Sequence, residues 1–276
     1  MKIARIYNNN VILARDMSGN EVVVIGKGLA FNKKVGDSVD KTRTEKIFTL
    51  QSKNVQSKLA EMMQDMPSVY LEISEEIVKM IRKNSDLQLN EDIYLTLTDH
   101  ISVSLRREKE GIVCTNPLLP EIRQFYVKEF HLAEQAVDII ENYMHVRISE
   151  DEIGFITLHI VNSSMNQQMH MTMQSTRMIS AILEIISSFF QREFDPKSAI
   201  YRRLLRHLQI FTRKLLSNTG IQENETYFYN WGRKEHGQVY ECVRRIEKYV
   251  EQTTGKSITK GEQGYLILHI VNLIYS

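Results

Sequence analysis

Residues 151–162 read DEIGFITLHIVN, and residues 261–272 read GEQGYLILHIVN. The second copy follows the first at a distance of 110 residues, which is the separation of His159 and His269. Solenoid repeats have periods of about 20–50 residues, so a repeat of this length indicates a duplicated domain. Both copies retain a histidine within an apolar segment, and that histidine needs a physical explanation.

The composition is that of an ordinary globular protein. The chain has 276 residues, of which 42% are hydrophobic and 25% are charged, and this length favours two or three domains. No apolar run reaches the ~18 residues that would span a membrane, and the N-terminus lacks the apolar core of a signal peptide. The two cysteines, Cys114 and Cys242, form no CxxC motif, so we expect a reduced, cytoplasmic protein.

Charge is distributed unevenly along the chain. Residues 1–55 hold ten Lys or Arg and five Asp or Glu, a net charge of +5, whereas the remainder has a net charge of −4. A basic segment on an acidic body indicates a site for nucleic acid or another polyanion. An ordinary solvated basic surface explains the same charge, so the pattern alone leaves both interpretations open.

Residues 1–50 have the pattern of a small β-sheet. Turns are predicted at 8–10 and at 18–20, a strand is expected to resume at 29–31 after GKG, and a last short strand is predicted around 46–50. Together these features predict an antiparallel sheet of about four strands. A segment of about 50 residues buries little surface, so we expect the sheet to pack on the rest of the chain or on a second copy of itself.

The two LHIVN segments are predicted to be helices. Ser149 with Glu152, and Thr259 with Glu262, have the spacing of capping boxes. On a wheel of 100° per residue, His159 then lies on or beside the apolar stripe of its helix. The repeated histidine is therefore expected at a partly buried helix face.

Each half of the chain offers a second histidine. Asn90 and Asp195 are predicted to cap two further helices, which carry His100 and His207 at a separation of 107 residues. The two histidines of a half are 59 residues apart in the first half and 62 in the second. This matched spacing indicates two paired sites.

Two polar stretches are predicted to separate these segments. Residues 162–176 read as the linker between the two halves, and a shorter junction is predicted at 51–66.

Three interpretations compete for the histidines. Each can be an ordinary hydrogen-bonded histidine at the edge of a core, although matched repetition makes this less favoured. A metal site would need a close set of ligands, and because the chain has no HExxH or CxxC motif, no metal is expected. The third interpretation is a histidine that accepts a phosphoryl group, since a neutral imidazole is a good nucleophile near pH 7. Phosphorylation would add a charge of about −2 to a helix face and repack it.

The chain resembles the BglG/SacY/LicT family of transcriptional antiterminators of bacterial sugar operons, and the resemblance covers essentially its whole length. It rests on NNNV at 8–11, GKGLAF at 26–31, Gly36, Asp37, Phe48, the TDH segment ending at His100, the paired E-x-G-[FY]-x-x-LHIVN motifs, and His207.

The resemblance implies an α+β multidomain protein. A small antiparallel β-sheet domain over 1–55 would dimerise and bind RNA, and two homologous all-α helical bundles over 65–170 and 171–276 would be regulation domains of the phosphotransferase system. The implied homodimer binds a stem-loop in the leader RNA of a sugar-utilisation operon and prevents the terminator from forming.

The resemblance also implies roles for individual residues. His100 and His159 would be phosphorylation sites linked to inhibition by a sugar permease, and His207 and His269 would be sites linked to activation by the phosphocarrier HPr. The implied RNA-contacting residues are Arg5, Asn8, Asn10, Gly26, Lys27 and Phe31.

These residue types suit RNA recognition. Amides read base edges, basic side chains hold phosphates, and an aromatic ring stacks on an unpaired base. Many relatives have Arg in place of Lys27, and Lys cannot make the planar bidentate contact of Arg.

Other classes of protein are less favoured. A DNA-binding activator with the same regulatory domains is the alternative, but it would carry a helix-turn-helix where this chain has a β pattern. A phosphotransfer enzyme would need an acceptor pocket with its own acid and base, and the sequence shows none. We therefore expect no enzymatic activity, no cofactor, no DNA binding and no membrane insertion.

Overall fold

The computed structural model describes residues 1–17, 19–49, 52–64, 66–165, 169–217 and 226–275. The chain divides into two compact units, which are Met1–Asn116 with Lys128–Asn166, and Pro117–Val127 with Gln167–Ser276. A four-stranded sheet followed by helices confirms the predicted α+β class.

The strands form one antiparallel sheet in the order β1-β2-β3-β4. Their bounds are β1 Lys2–Ile6, β2 Val11–Arg15, β3 Glu21–Ile25 and β4 Lys46–Phe48. The turn between β1 and β2 forms because Oδ1 of Asn8 accepts from the backbone N–H groups of Asn10 and Val11 at 2.7 and 2.8 Å. This sheet confirms the prediction of about four antiparallel strands.

The strand expected at 29–31 was a wrong prediction. These residues form turns, in which the Leu29 N–H donates to the Gly26 carbonyl and the Phe31 N–H donates to the Gly28 carbonyl. Gly28 has φ of +63°, a left-handed conformation that ends the extended chain. Residue 18 of the second predicted turn and residue 50 of the last predicted strand lie outside the described residues.

Both faces of the sheet are apolar because each covers a different core. Ile12 and Ala14 of β2 pack with Leu29 and Val39, which lie on the loops of the sheet's own segment. The residues that point to the other face, such as Leu13 of β2 and Val23 of β3, pack instead with helical residues such as Leu59. The expected packing of the sheet on the rest of the chain is therefore confirmed, and its pairing with a second copy stays a prediction.

The helices follow in chain order. Their bounds are α1 Lys53–Met62, α2 Ser68–Asn84, α3 Asp92–Lys109, α4 Leu119–Phe125, α5 Val127–Met144, α6 Glu150–Met165, α7 Met169–Phe190, α8 Ala199–Ser217, α9 Tyr227–Glu235, α10 Gly237–Thr254 and α11 Lys260–Tyr275. In the first unit, α1, α2, α3, α5 and α6 share one core with β2, β3 and β4.

In the sequence α4 lies between α3 and α5, but it belongs to the second unit. Within that unit α4 packs on α7, and the Gln124 amide donates to the Tyr201 hydroxyl at 2.9 Å. The Tyr126 and Thr176 hydroxyls lie 3.2 Å apart. The division into units thus differs from the predicted domain bounds, which stay a prediction.

The two stretches predicted to be linkers are mostly helical. Residues 162–165 end α6 and residues 169–176 begin α7, while 166–168 lie outside the described residues. Polar residues are buried here because their hydroxyls are satisfied: Ser175 and Thr212 lie 2.6 Å apart, and Thr176 donates to the Thr172 carbonyl. The junction predicted at 51–66 likewise contains α1.

The start of α8 also differs from its prediction. Asp195 accepts from the Lys197 N–H in a turn before the helix, and Ser198 Oγ accepts from the Tyr201 N–H at the first helical turn. The helix begins at Ala199, so Ser198 rather than Asp195 is its N-cap.

Leu59 tests the core that joins the sheet to the helices. Its side chain is fully buried in that core, so Leu59→Ala should lower the free energy of unfolding by about 2–5 kcal/mol in chemical denaturation. Lys58→Ala, at an exposed position one residue earlier, should change it by less than ~0.5 kcal/mol. Equal effects of the two substitutions would contradict the shared core.

Candidate functional site

The four paired histidines lie on two helix pairs, α3 with α6 and α8 with α11, whose helices pack against each other. On α3, Arg107 follows His100 by seven residues, which is two helical turns and returns to the same face. On α6, His159 follows Glu152 by the same interval. The two helices therefore present all four side chains to one another.

The first histidine cluster consists of His100, Arg107, Glu152 and His159. Nε2 of His100 lies 2.8 Å from Oε2 of Glu152, and Nη2 of Arg107 lies 3.4 Å from Oε1 of the same carboxylate. The ring centroids of His100 and His159 are 4.8 Å apart. A buried carboxylate thus joins a histidine and a guanidinium, with the second histidine beside them.

The second histidine cluster consists of His207, Lys214, Glu262 and His269, and it repeats this arrangement. Nε2 of His207 and Nζ of Lys214 each lie 3.7 Å from an oxygen of Glu262. The centroids of His207 and His269 are again 4.8 Å apart. The structure thus brings together the two histidines that were paired in each half, while their chemical role stays a prediction.

The two carboxylates differ in their electrostatics. Burial raises the pKa of Glu152, but contacts with His100 and Ser104 and the charge of Arg107 outweigh burial and lower it. Burial also raises the pKa of Glu262, and Lys214 offsets only part of this effect. The repeat places a buried Phe211 where the first cluster has Ser104, so Glu262 lacks that hydroxyl.

The surroundings keep three of the histidines neutral at pH 7. Burial, with a smaller effect from His100, lowers the pKa of His159 to about 3. Burial, followed by the charges of His269 and Lys214, lowers the pKa of His207 to about 4. Burial and Arg203 lower the pKa of His269 as well. A neutral imidazole keeps a free lone pair, which is the state that a nucleophilic role would require.

Sequence reasoning missed the role of the two glutamates, which it assigned to capping boxes. The Glu262 N–H donates to the Thr259 hydroxyl, as a capping box predicts, whereas the Glu152 N–H donates to the Ser149 backbone carbonyl and not to its hydroxyl. The glutamate side chains, however, turn to the histidines. The repeated seven-residue spacing of Glu and His on one helix was the signal that could have found this role.

The structure brings four of the six predicted RNA-contacting residues to one cavity. Asn8, Asn10, Gly26 and Lys27 line a cavity of about 540 Å³ at the end of β1 and β3. Arg5 is exposed on β1 with its guanidinium 4.8 Å from the Tyr7 ring centroid. Phe31 is exposed, and neither it nor Arg5 lines the cavity.

The opposite wall of this cavity comes from the segment between α1 and α2. The Asn8 amide donates to the carbonyls of Met63 and Gln64 at 3.1 and 2.8 Å. Gly26 cannot be replaced without movement, because an added Cβ would lie 1.8 Å from the Arg43 carbonyl oxygen. Asn8 therefore holds the turn and contacts the helical part of the same unit.

The described parts of the chain contain no group of three or more His, Cys, Asp or Glu side chains that could hold a metal ion. Among the helices within those parts, none combines the length and the apolar character needed to cross a membrane.

Comparison with known proteins gives the family. A model of the PRD domain matches residues 75–163 and again 180–273, and a model of the CAT RNA binding domain matches residues 1–57. The chain therefore belongs to the family of antiterminators that carry a CAT RNA binding domain and two PRD domains, which confirms the resemblance.

Individual relatives extend over almost the whole chain. "Transcription antiterminator LicT" of Bacillus subtilis (strain 168) is 37% identical and covers 99% of both chains. "Beta-glucoside operon antiterminator" of Dickeya chrysanthemi is 32% identical over 98% of this chain and 95% of its own. A structure described as "Crystal structure of GlcT CAT-PRDI" aligns with 59% of this chain and 97% of its own, at 32% identity and a TM-score of 0.49.

The lowered pKa of His207 predicts a loss of stability in acid. The unfolded chain keeps the ordinary pKa of 6.5 and takes up the proton first, so the contribution of His207 is lost between pH 6.5 and about 4. Between these pH values the free energy of unfolding should fall in both chains. The fall should be smaller in His207→Gln than in the native chain, by up to about 3 kcal/mol. Denaturation curves at several pH values measure the difference.

His131→Gln is the matched control, because the His131 side chain is 69% exposed. Its free energy of unfolding should differ from that of the native chain by less than about 0.5 kcal/mol over this pH range, because solvent screens the exposed contact of His131 with Glu134. A His207→Gln curve parallel to the native one would contradict the lowered pKa.

Proposed function

We propose that this protein is a transcription antiterminator whose CAT domain binds a stem-loop in a leader RNA and whose two PRD domains control that binding. The observation that carries this conclusion is the match over the full chain to relatives named as antiterminators. The four-stranded sheet and the match to an RNA-binding family model disfavour the alternative of a DNA-binding activator. The family is regulatory, so we infer no enzymatic activity.

The cavity at the edge of the sheet supports the RNA site. Amides of Asn8 and Asn10 and the ammonium group of Lys27 supply donors for bases and phosphates on a segment of net charge +5. Phe31 is 57% exposed and supplies a face for stacking. RNA that took the Asn8 amide would have to displace the Met63 and Gln64 carbonyls, so RNA binding and the position of this segment are coupled.

The histidine clusters support control by phosphorylation. Each cluster holds at least one histidine that burial keeps neutral at pH 7, together with a cationic side chain, and this combination suits the acceptance of a phosphoryl group. We infer that phosphorylation of His100 and His159 by a sugar permease inhibits the protein, and that phosphorylation of His207 and His269 by HPr activates it. We also infer a cytoplasmic homodimer as the form that binds RNA.

Lys27 gives a test of the RNA site. Lys27→Ala removes one phosphate contact, so the dependence of log K on log salt for a leader-RNA hairpin should become shallower by about one. Lys27→Arg should retain or strengthen binding, because Arg adds a bidentate contact. Lys58→Ala, the same change at an exposed position on α1, should leave the slope unchanged. Native binding by Lys27→Ala at all salt concentrations would remove Lys27 from the interface.

A labelling experiment tests the phosphorylation sites. The full chain is incubated with radiolabelled phosphoenolpyruvate, enzyme I and HPr, and the label should appear on the second unit, at His207 or His269. The double substitution of both residues by Ala should remove that label, whereas His131→Ala, at an exposed position, should not. Label that persists in the double variant at the native level would overturn the assignment to these two residues.

A further inference from the structure

The two ring nitrogens of the leading histidine in each cluster have different surroundings. The side chains of His100 and His207 are 13% and 16% exposed, but Nε2 of each is buried and faces a carboxylate without a well-aligned hydrogen bond. A carboxylate oxygen lies 2.8 Å from Nε2 in the first cluster, from Glu152, and 3.7 Å from Nε2 in the second, from Glu262. Two separate domains therefore turn the same nitrogen inward to a carboxylate.

This arrangement favours one of the two tautomers of the neutral ring. A carboxylate next to Nε2 favours the tautomer with the proton on Nε2, because a lone pair would face a negative charge. The lone pair is then on Nδ1. Because Nε2 is buried against the carboxylate, it is closed to a donor protein, which leaves Nδ1 as the acceptor nitrogen.

We propose that His100 and His207 accept the phosphoryl group at Nδ1, and that Glu152 and Glu262 are positioning residues for this transfer. The proposal rests on the proposed control by phosphorylation and names the acceptor atom of that reaction.

The transfer balances without an oxidant or a further reactant. The Nδ1 lone pair attacks the phosphorus of a ring-protonated phosphohistidine on the donor protein. The donor N–P bond breaks, its electron pair stays on the donor ring, and that ring leaves as neutral imidazole. A new N–P bond forms at Nδ1, and the proton on Nε2 stays in place. The ring becomes positively charged next to the carboxylate, which stabilises it.

Acceptance at Nε2 would meet an opposing charge. A phosphoryl dianion on that nitrogen would lie against the carboxylate of Glu152 or Glu262 unless the ring first turned over. At Nδ1 the new group lies on the far side of the ring. Arg107 and Lys214, each within 4 Å of the carboxylate, partly neutralise the added charge.

The isomer of phosphohistidine is measured directly by ³¹P NMR. The full chain is phosphorylated with phosphoenolpyruvate, enzyme I and HPr, and variants that retain one of the four histidines assign each signal. Free 1- and 3-phosphohistidine provide the reference shifts. We expect the His207 signal to be that of phosphorylation at Nδ1. A signal from Nε2 would overturn this inference alone, whereas the absence of phosphohistidine from the native chain would overturn the proposed control as well.

Glu262→Gln tests the positioning role. Glutamine removes the negative charge and can turn either its carbonyl or its NH2 group to the ring, so the preference for a proton on Nε2 is weakened and part of the lone-pair population moves to Nε2. We expect phosphorylation of His207 to slow by at least about tenfold, and the remaining label to appear partly at Nε2. A merely structural role would lower the yield without changing the isomer.

Glu251→Gln is the matched control, because it makes the same change at an exposed position on α10. It should leave both the rate and the isomer unchanged. Circular dichroism confirms that both variants are folded. Native rate and wholly Nδ1 label in Glu262→Gln would remove Glu262 from the mechanism.

Discussion

A carboxylate buried between two helices is the constraint on which both histidine clusters depend. An unpaired buried charge is strongly destabilising, so each glutamate needs positive or polar partners in place. Glu152 finds them in His100 and Arg107 on the facing helix. Because the contacts cross from α6 to α3, the carboxylate fixes the two helices relative to each other and sets the separation of the paired histidines.

The same carboxylate makes each site responsive to a new charge. Two unit charges 4 Å apart interact by about 4 kcal/mol at an effective dielectric of 20, and a phosphoryl dianion doubles this against one carboxylate. Whole domains are stable by only about 5–15 kcal/mol, so a change of this size rearranges the contacts of the cluster. Under the proposed phosphorylation, Arg107 and Lys214 would exchange their carboxylate partner for the phosphoryl group.

The two clusters differ in how far their polar and positive side chains offset the burial of the carboxylate. In the first cluster Glu152 lies 2.8 Å from His100 and also contacts Ser104, and its pKa is lowered. In the second cluster the corresponding distance is 3.7 Å, and burial raises the pKa of Glu262. The second carboxylate is therefore more easily neutralised, which reduces its repulsion of a new phosphoryl group. This difference gives the two domains a physical basis for unequal responses.

The sequence predicted those features that local patterns encode. The sheet, the repeated helices and the pairing of His207 with His269 follow from strand patterns, caps and the repeat. Lys214 was missed because its role depends on how α8 crosses α11, which no local pattern contains. The polar composition of 162–176 predicted a linker. That prediction was wrong because hydroxyls in a helix can be buried when they bond to the backbone or to each other.

Control of RNA binding also needs a route from the clusters to the sheet. In the first unit the sheet and the helices α1, α2, α3, α5 and α6 share one core, so a shift of α3 or α6 acts on residues packed against β2 and β3. The contact of Asn8 with the end of α1 lies at the edge of that core. Movement of the helices can therefore change the surface that RNA meets.

The most direct measurement is the dissociation constant of the full chain for a hairpin of its own leader RNA, before and after phosphorylation with HPr at one salt concentration. If the clusters control the sheet, phosphorylation changes this constant by at least about tenfold, a typical coupling free energy. A variant with Ala at all four histidines then shows no response. An unchanged constant on a chain that carries stoichiometric phosphoryl groups would contradict the control of RNA binding by the histidine clusters.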